Sequence, residues 1–162
     1  MSDRSQTNRP YRSAPFIFEP EKDMSNTCKN LVIHCIDFRL VKDTKNWLEE
    51  KELIGDCDEV SLAGATKDLV NPASPFNRDF ILKQIKISYD LHGARKVILM
   101  HHTDCGAYGG HKAFDSELEE EQKHLRDMEE AARTIESQWP GIEVAMVLIK
   151  MTAKGNEFVE IR

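Results

Sequence analysis

The sequence predicts an α/β fold with a central, mostly parallel β-sheet flanked by helices and a C-terminal antiparallel edge hairpin. Short runs rich in Val, Ile and Leu alternate with longer amphipathic runs, which is typical of a parallel sheet connected by helices. The last two strand-like runs, residues 142–149 and 157–161, are joined by Lys154-Gly155-Asn156, a turn sequence suited to a hairpin. In such sheets, ligands bind at the carboxyl ends of the strands.

Three earlier runs are predicted to be strands. Residues 31–36 form a β-branched apolar run of the kind that a strand buried on both faces requires. Residues 59–63 form a second short strand that ends at Gly64, and residues 96–101 form a third that leads into a glycine-rich loop.

The first predicted helix covers residues 41–52. Its apolar residues do not share one clean face, so Trp47, Leu48, Leu53 and Ile54 are expected to anchor its inner side.

A second helix has clear start and stop signals. Ser74 is an N-cap residue, Pro75 suits the first helical position, and Gly93 lies where a glycine commonly ends a helix. Its predicted inner residues are Phe76, Phe80, Ile81, Ile85, Ser88 and Tyr89.

A third helix is predicted from Ser116 to about Gln138, because Ser116 and Glu119 fit a capping box and Pro140-Gly141 stops it. Its apolar stripe comprises Leu118, Leu125, Met128, Ala132, Ile135 and Trp139. The acidic run Glu117, Glu119, Glu120 and Glu121 is interpreted as a solvated helix face near the helix N-terminus.

Length and charge limit the classes of protein and partner. The 162 residues suit one α/β domain over residues 28–162, preceded by an arm, residues 1–27, that is either extended over a neighbouring subunit or disordered. A net charge of −6 argues against a broad nucleic-acid or acidic-membrane surface. The chain has no apolar run of membrane-spanning length, and its first fifteen residues lack the apolar stretch of a secretory signal, so we expect a cytoplasmic protein with no membrane partner.

Cysteine and histidine follow two of the predicted strands. Cys35 ends the first strand, and His102 and Cys105 follow the third, so neighbouring strands would bring them to the same edge of the sheet. Two thiolates and one imidazole make a three-ligand zinc set that leaves a fourth position for water. Cys35 taken alone fits inert packing better than metal binding. His34 and His101 compete as ligands, although strand alternation directs each of them away.

Asp37 and Arg39 stand two residues apart beyond the first strand, so in an extended chain they would share a face and form an ion pair. Beside a metal, Arg39 would keep Asp37 ionised, and the carboxylate would accept a hydrogen bond from metal-bound hydroxide. Two alternatives stay open: the pair is an ordinary salt bridge, or Asp37 itself becomes the fourth metal ligand.

Other motif readings fail on spacing. Cys28 and Cys57 have no partner at ligand spacing and are interpreted as plain thiols, reduced in the cytosol. The spacing from Cys35 to Arg39 is too short for a cysteine phosphatase loop. The glycine-rich segment 106–110 lacks the residues of a phosphate-binding loop or dinucleotide fingerprint.

The two segments Cys-Ile-Asp-Phe-Arg and His-Thr-Asp-Cys-Gly resemble the zinc motifs of the β-class carbonic anhydrases. The likeness covers roughly residues 30–162 in the order of elements, although only the two motifs are specific. It implies that Cys35, His102 and Cys105 bind one zinc ion per chain and that Asp37 and Arg39 form the catalytic dyad. The implied reaction is reversible hydration of carbon dioxide to bicarbonate by zinc-bound hydroxide, in a homodimer or larger homo-oligomer.

The chain departs from the family pattern after the second strand. Members usually carry an Arg-Asn-Ala-Gly type segment there, whereas this chain has Ser61-Leu62-Ala63-Gly64-Ala65. The substrate is therefore open among carbon dioxide, carbonyl sulfide and carbon disulfide. A non-catalytic zinc-binding oligomer with Asp37 closing the site is a further alternative. The proton released in each cycle is assigned to His34, His101 or His111 without a choice among them.

Overall fold

The computed structural model describes residues 26–161. Apart from its last two residues, the predicted arm over residues 1–27 lies outside the described residues, and its conformation stays a prediction.

Five strands form one sheet in the order β2-β1-β3-β4-β5. Strands β1 to β4 are parallel to one another, and β5 runs antiparallel to β4. The fold class is therefore confirmed, including the antiparallel edge hairpin. The strands are β1 Asn30–Cys35, β2 Cys57–Leu62, β3 Lys96–His102, β4 Glu143–Thr152 and β5 Gly155–Ile161.

Helices cover the described connections between strands β1 to β4, in part as short turns that the sequence did not predict. The α-helices are α1 Val41–Glu50, α2 Lys67–Val70, α3 Pro75–Ile87 and α4 Glu117–Gln138. Helix α3 continues as a π-helix over Ser88–His92, which ends at Gly93 in the left-handed conformation. Single 3₁₀ turns form at Phe38–Leu40, Gly106–Tyr108 and His111–Ala113.

Apolar side chains fill both faces of the sheet. Alternation along β1 sends Leu31 and Ile33 into one cluster and Val32 into the other. The first cluster packs beneath α2, α3 and α4, and the second packs beneath α1. This layering holds the strand ends in fixed positions, which is what a site built at those ends requires.

Several predicted inner residues lie on the surface. Ile54, Phe76, Phe80 and Leu118 are all exposed, so their assignment to inner faces was wrong. Phe76 and Phe80 contact each other, with ring centroids 6.5 Å apart, and border a surface hollow instead of entering the core. Ile54 lies in the turn after α1, where no helical face continues. Leu118 is displaced because polar residues occupy the inner face of the first turns of α4.

Candidate metal centre

The pairing of β1 with β3 brings the predicted ligands together. The Sγ atoms of Cys35 and Cys105 lie 3.9 Å apart, although the residues are 70 positions apart in the chain. One ligand atom each from Cys35, His102 and Cys105 lies within 4.8 Å of the other two, and all three residues are buried. The convergence expected from the strand ends is thus observed.

The donor arrangement fits a tetrahedral zinc ion. Zinc bonds of the usual length place two ligands on the same ion about 3.3–3.8 Å apart, close to the observed separation of the two sulfurs. His102 Nδ1 donates to the carbonyl oxygen of Thr103 at 2.8 Å, which leaves the lone pair on Nε2. That Nε2 atom is buried and has no hydrogen-bond partner among the described residues. A cation bound there would give this buried acceptor a partner, and a buried acceptor without one is destabilising.

The two thiols differ in acidity. The hydrogen bond from Cys105 lowers the pKa of Cys35, against the opposing effect of burial. The same hydrogen bond, together with burial, raises the pKa of Cys105. A divalent cation between the two sulfurs would allow both to bind as thiolates.

Gly64 supports the first sulfur from the loop after β2. Its N–H donates to Cys35 Sγ at 3.5 Å, and its φ is +77°. A Cβ atom at this position would lie 2.9 Å from the Cβ of Ala107, so the loop can approach the metal motif this closely only with glycine. The sequence marked Gly64 as a strand terminator but not as a residue of the site.

Asp37 and Arg39 form the predicted ion pair by a different route. The chain does not stay extended after β1, because Asp37 caps the 3₁₀ turn Phe38–Leu40 and accepts from the backbone N–H of Arg39. The Arg39 Nη2 and Asp37 Oδ2 atoms are 2.6 Å apart. Hydrogen bonds from Arg39 lower the pKa of Asp37 to about 2, so the carboxylate is ionised at neutral pH. Its Oδ2 atom lies 3.9 Å from His102 Nε2.

Asp104 is a second partner of Arg39 that sequence reasoning missed. Arg39 Nη1 donates to Asp104 Oδ2 at 2.7 Å, and Nη2 donates to the Asp104 carbonyl oxygen at 2.9 Å. Asp104 has a φ of +55°, a conformation that aspartate tolerates better than most residues. Its position between His102 and Cys105 in the motif was the available signal.

Glu120 corrects the interpretation of the acidic run as a solvated face. It is 1% exposed, and its Oε1 atom accepts from the backbone N–H of Asp104 at 2.6 Å. Its Oε2 atom accepts from His111 Nδ1. Glu120 therefore fixes the loop that carries two of the three candidate ligands, whereas Glu117 and Glu119 are exposed.

The remaining candidate histidines face away from the three donors. His101 Nε2 lies 2.6 Å from Thr66 Oγ1, and its Nδ1 lies 3.2 Å from His124 Nδ1, so it is a buried core residue as strand alternation predicted. Burial lowers the pKa of His101 well below its usual value. His34 Nδ1 donates to the carbonyl oxygen of Cys35.

We expect Gly64→Ala to lower the free energy of unfolding more than Gly55→Ala does. Both glycines have positive φ, so both variants carry the backbone strain of alanine there, about 1–2 kcal/mol. Only an alanine at residue 64 also meets Ala107, which adds about 1–3 kcal/mol of overpacking. Urea denaturation at a fixed protein concentration measures the difference, and equal losses would show that the close approach is unimportant.

We expect Glu120→Gln to destabilise the protein by about 1–3 kcal/mol more than Glu117→Gln. Both residues lie in the first turn of α4 and lose the same favourable charge at the helix N-terminus. Only Glu120 also loses a buried acceptor, because the amide oxygen of glutamine can still accept from the Asp104 N–H but its NH2 group cannot accept from His111. The two variants are compared by urea denaturation, and matching curves would contradict the role of Glu120 in holding the loop.

Residues 25–158 match the family described as "Putative carbonic anhydrase". An uncharacterised protein of Rickettsia bellii is 31% identical over 127 residues, covering 76% of this chain and 77% of that protein. A second uncharacterised protein, from Rickettsia conorii, is 27% identical over 139 residues, covering 84% and 75%.

Two solved structures share the fold at low sequence identity. A β-carbonic anhydrase isoform from Trichomonas vaginalis superposes with a TM-score of 0.57 at 16% identity, covering 87% of this chain and 88% of that chain. A structure from a study of two tetrameric β-carbonic anhydrases of Sordaria macrospora gives 0.57 at 13% identity, covering 84% and 83%. Within residues 26–161, no helix combines the length and apolarity needed to cross a bilayer. The chain therefore belongs to the family described as putative carbonic anhydrase, and it has the fold of the β-carbonic anhydrases.

Proposed function

We propose that this protein is a zinc-dependent carbonate dehydratase that interconverts carbon dioxide and bicarbonate. The observation that carries the proposal is the convergence of Cys35, His102 and Cys105 beside the Asp37–Arg39 pair. The family match supports the reaction class.

Cys35, His102 and Cys105 would hold the zinc ion through two sulfurs and one nitrogen. Zinc bound by three protein ligands supplies a Lewis acid that lowers the pKa of a water in the fourth position. The buried setting of the three donors keeps bulk solvent from competing with them.

Asp37 would orient the reacting water. It is ionised, it can only accept hydrogen bonds, and its Oδ2 atom lies 3.9 Å from His102 Nε2. A carboxylate at this distance can accept one hydrogen of the water, so that an oxygen lone pair points toward carbon dioxide.

Arg39 would keep Asp37 in that orientation. Its guanidinium donates to both oxygens of Asp37 and also to Asp104, so it links the carboxylate to the loop of His102 and Cys105. These hydrogen bonds favour Asp37 as part of an ion pair over Asp37 as a permanent zinc ligand, because ligation would compete for the same oxygens.

Hydration forms a carbon–oxygen bond and releases one proton. His111 would suit its transfer to solvent, because its side chain is half-exposed and it lies in the loop that follows Cys105.

A homo-oligomer is part of the proposal. The described structure leaves Ile36, Phe38 and Val41 exposed next to the candidate site, at 58%, 84% and 64%. An apolar group of this kind is typical of a surface that a partner covers. The fold neighbours from Sordaria macrospora, which are tetrameric, support the same assignment.

We expect Cys35→Ser to remove both the zinc held at this centre and the hydration activity, because the zinc would lose one of its three protein ligands. Zinc per chain is measured by mass spectrometry of the metal, and hydration by stopped flow. Cys57→Ser is the matched control, since Cys57 lies outside the ligand group and should keep both properties. An active Cys35→Ser protein that lacks this zinc would overturn the proposal.

We expect Asp37→Ala to keep its zinc and lose at least about 10²-fold in turnover, because the reacting water is no longer oriented. Asp79→Ala, at an exposed position of α3, is the control for removal of a carboxylate. An unchanged hydration rate would exclude Asp37 from the mechanism.

Parallel assays of wild-type protein with carbonyl sulfide and carbon disulfide separate the substrates. Faster turnover of a sulfur analogue than of carbon dioxide would reassign the reaction. Full zinc occupancy with no turnover of any of the three across a range of pH would favour a non-catalytic zinc protein.

A further inference from the structure

A second group of metal-ligating side chains lies at the opposite edge of the sheet. Ligand atoms of Cys28, Asp58 and His92 all lie within 4.8 Å of one another. The three side chains are half-buried, and those of Asp58 and His92 are each 30% exposed. Spacing along the chain indicated no ligand partner for Cys28, because its neighbours in this group are distant in the sequence.

The fold positions each donor at the amino end of a strand. Cys28 precedes β1, and its backbone N–H donates to the carbonyl oxygen of His92 at 2.9 Å. Asp58 is the second residue of β2, and His92 ends the π-helix that leads into β3. Cys28 and Cys35 lie near opposite ends of β1, roughly 20 Å apart along an extended strand. The Cys28 group is therefore separate from the candidate metal centre that includes Cys35.

The donor types are a thiol, an imidazole and a carboxylate, each of which zinc accepts. His92 Nδ1 lies 2.8 Å from Asp58 Oδ2 and 3.0 Å from Oδ1. Two ligands of one zinc ion lie about 3.3 Å apart or more, so the pair must open by roughly 0.5 Å to admit the ion. Partial exposure allows this movement and leaves room for water as the fourth ligand.

The charge around Cys28 also favours a cation. A divalent ion bound between the Cys28 sulfur and the Asp58 carboxylate would displace the thiol proton and attract both groups. Cys57 on β2 has the same residue type but no place in the group, so it is the natural control.

We propose that Cys28, Asp58 and His92 form a second zinc site, which ties the segment before β1 to β2 and to the end of the π-helix. This inference goes beyond the proposed function, because none of the three residues belongs to the candidate metal centre described above.

The test counts zinc in the reduced, full-length protein after equilibrium dialysis against micromolar zinc. We expect two ions per chain in the wild type and in Cys57→Ser, and one in each of Cys28→Ser, Asp58→Asn and His92→Gln. The Cys35→Ser/Cys105→Ser protein should keep one ion, which Cys28→Ser should then remove. Cobalt in place of zinc in this double variant should produce a thiolate-to-cobalt charge-transfer band that disappears with Cys28.

The outcomes for the two sites are distinguishable. One zinc per wild-type chain, removed by the Cys35 and Cys105 substitutions and unaffected by Cys28→Ser, would overturn the second site and leave the proposed function standing. Two ions per chain with no carbon dioxide hydration would overturn the proposed function and leave the second site standing. Thermal unfolding with and without zinc distinguishes the loss of this site from misfolding of a variant. A zinc-dependent rise in melting temperature of the double variant should be lost in its Asp58→Asn derivative, and an equal rise in both would also overturn the site.

Discussion

The parallel pairing of β1 with β3 is the constraint on which the candidate metal centre depends. Their register places Ile33 opposite Leu99, so Cys35 ends its strand beside the last residues of β3. A slip of one residue would turn Cys35 to the other face of the sheet and separate it from Cys105. The apolar residues that alternate along both strands fix this register, because the same slip would exchange the two buried clusters. Core packing thus sets the distance between the two sulfurs.

The sequence allowed the fold class and the three candidate ligands to be predicted, because both depend on local patterns. Cys35, His102 and Cys105 stand at the ends of recognisable strands, and adjacency of those strands was enough to bring them together. Contacts across the chain left no such signal. Glu120 acts on Asp104 from 16 residues away, and its charge alone suggested an exposed helix face. The Cys28 group draws on three separate strand starts, which spacing within one segment cannot reveal.

The first turns of α4 explain both a wrong prediction and how the loop after β3 is anchored. Glu120, His124 and Asp127 are buried on its inner face, where an apolar stripe was expected. They contact Asp104, His101 and Tyr108 respectively. Buried polar groups are tolerated when they have hydrogen-bond partners, so this row of α4 requires polar groups at the end of β3 and in the loop that follows it. Helix α4 is therefore fitted to the loop that it covers.

Charge balance makes Arg39 central to the candidate chemistry. Two thiolates cancel the formal charge of a zinc ion, so a Cys₂His centre acidifies its water less than a centre of three imidazoles would. In the proposed mechanism, more of the catalytic effect would then come from Asp37 as it orients the water, since its Oδ2 atom lies 3.9 Å from His102 Nε2. Arg39 holds Asp37 through one side of its planar fork and Asp104 through the other. A lysine has the charge but not the fork, so it could not hold both carboxylates in this arrangement.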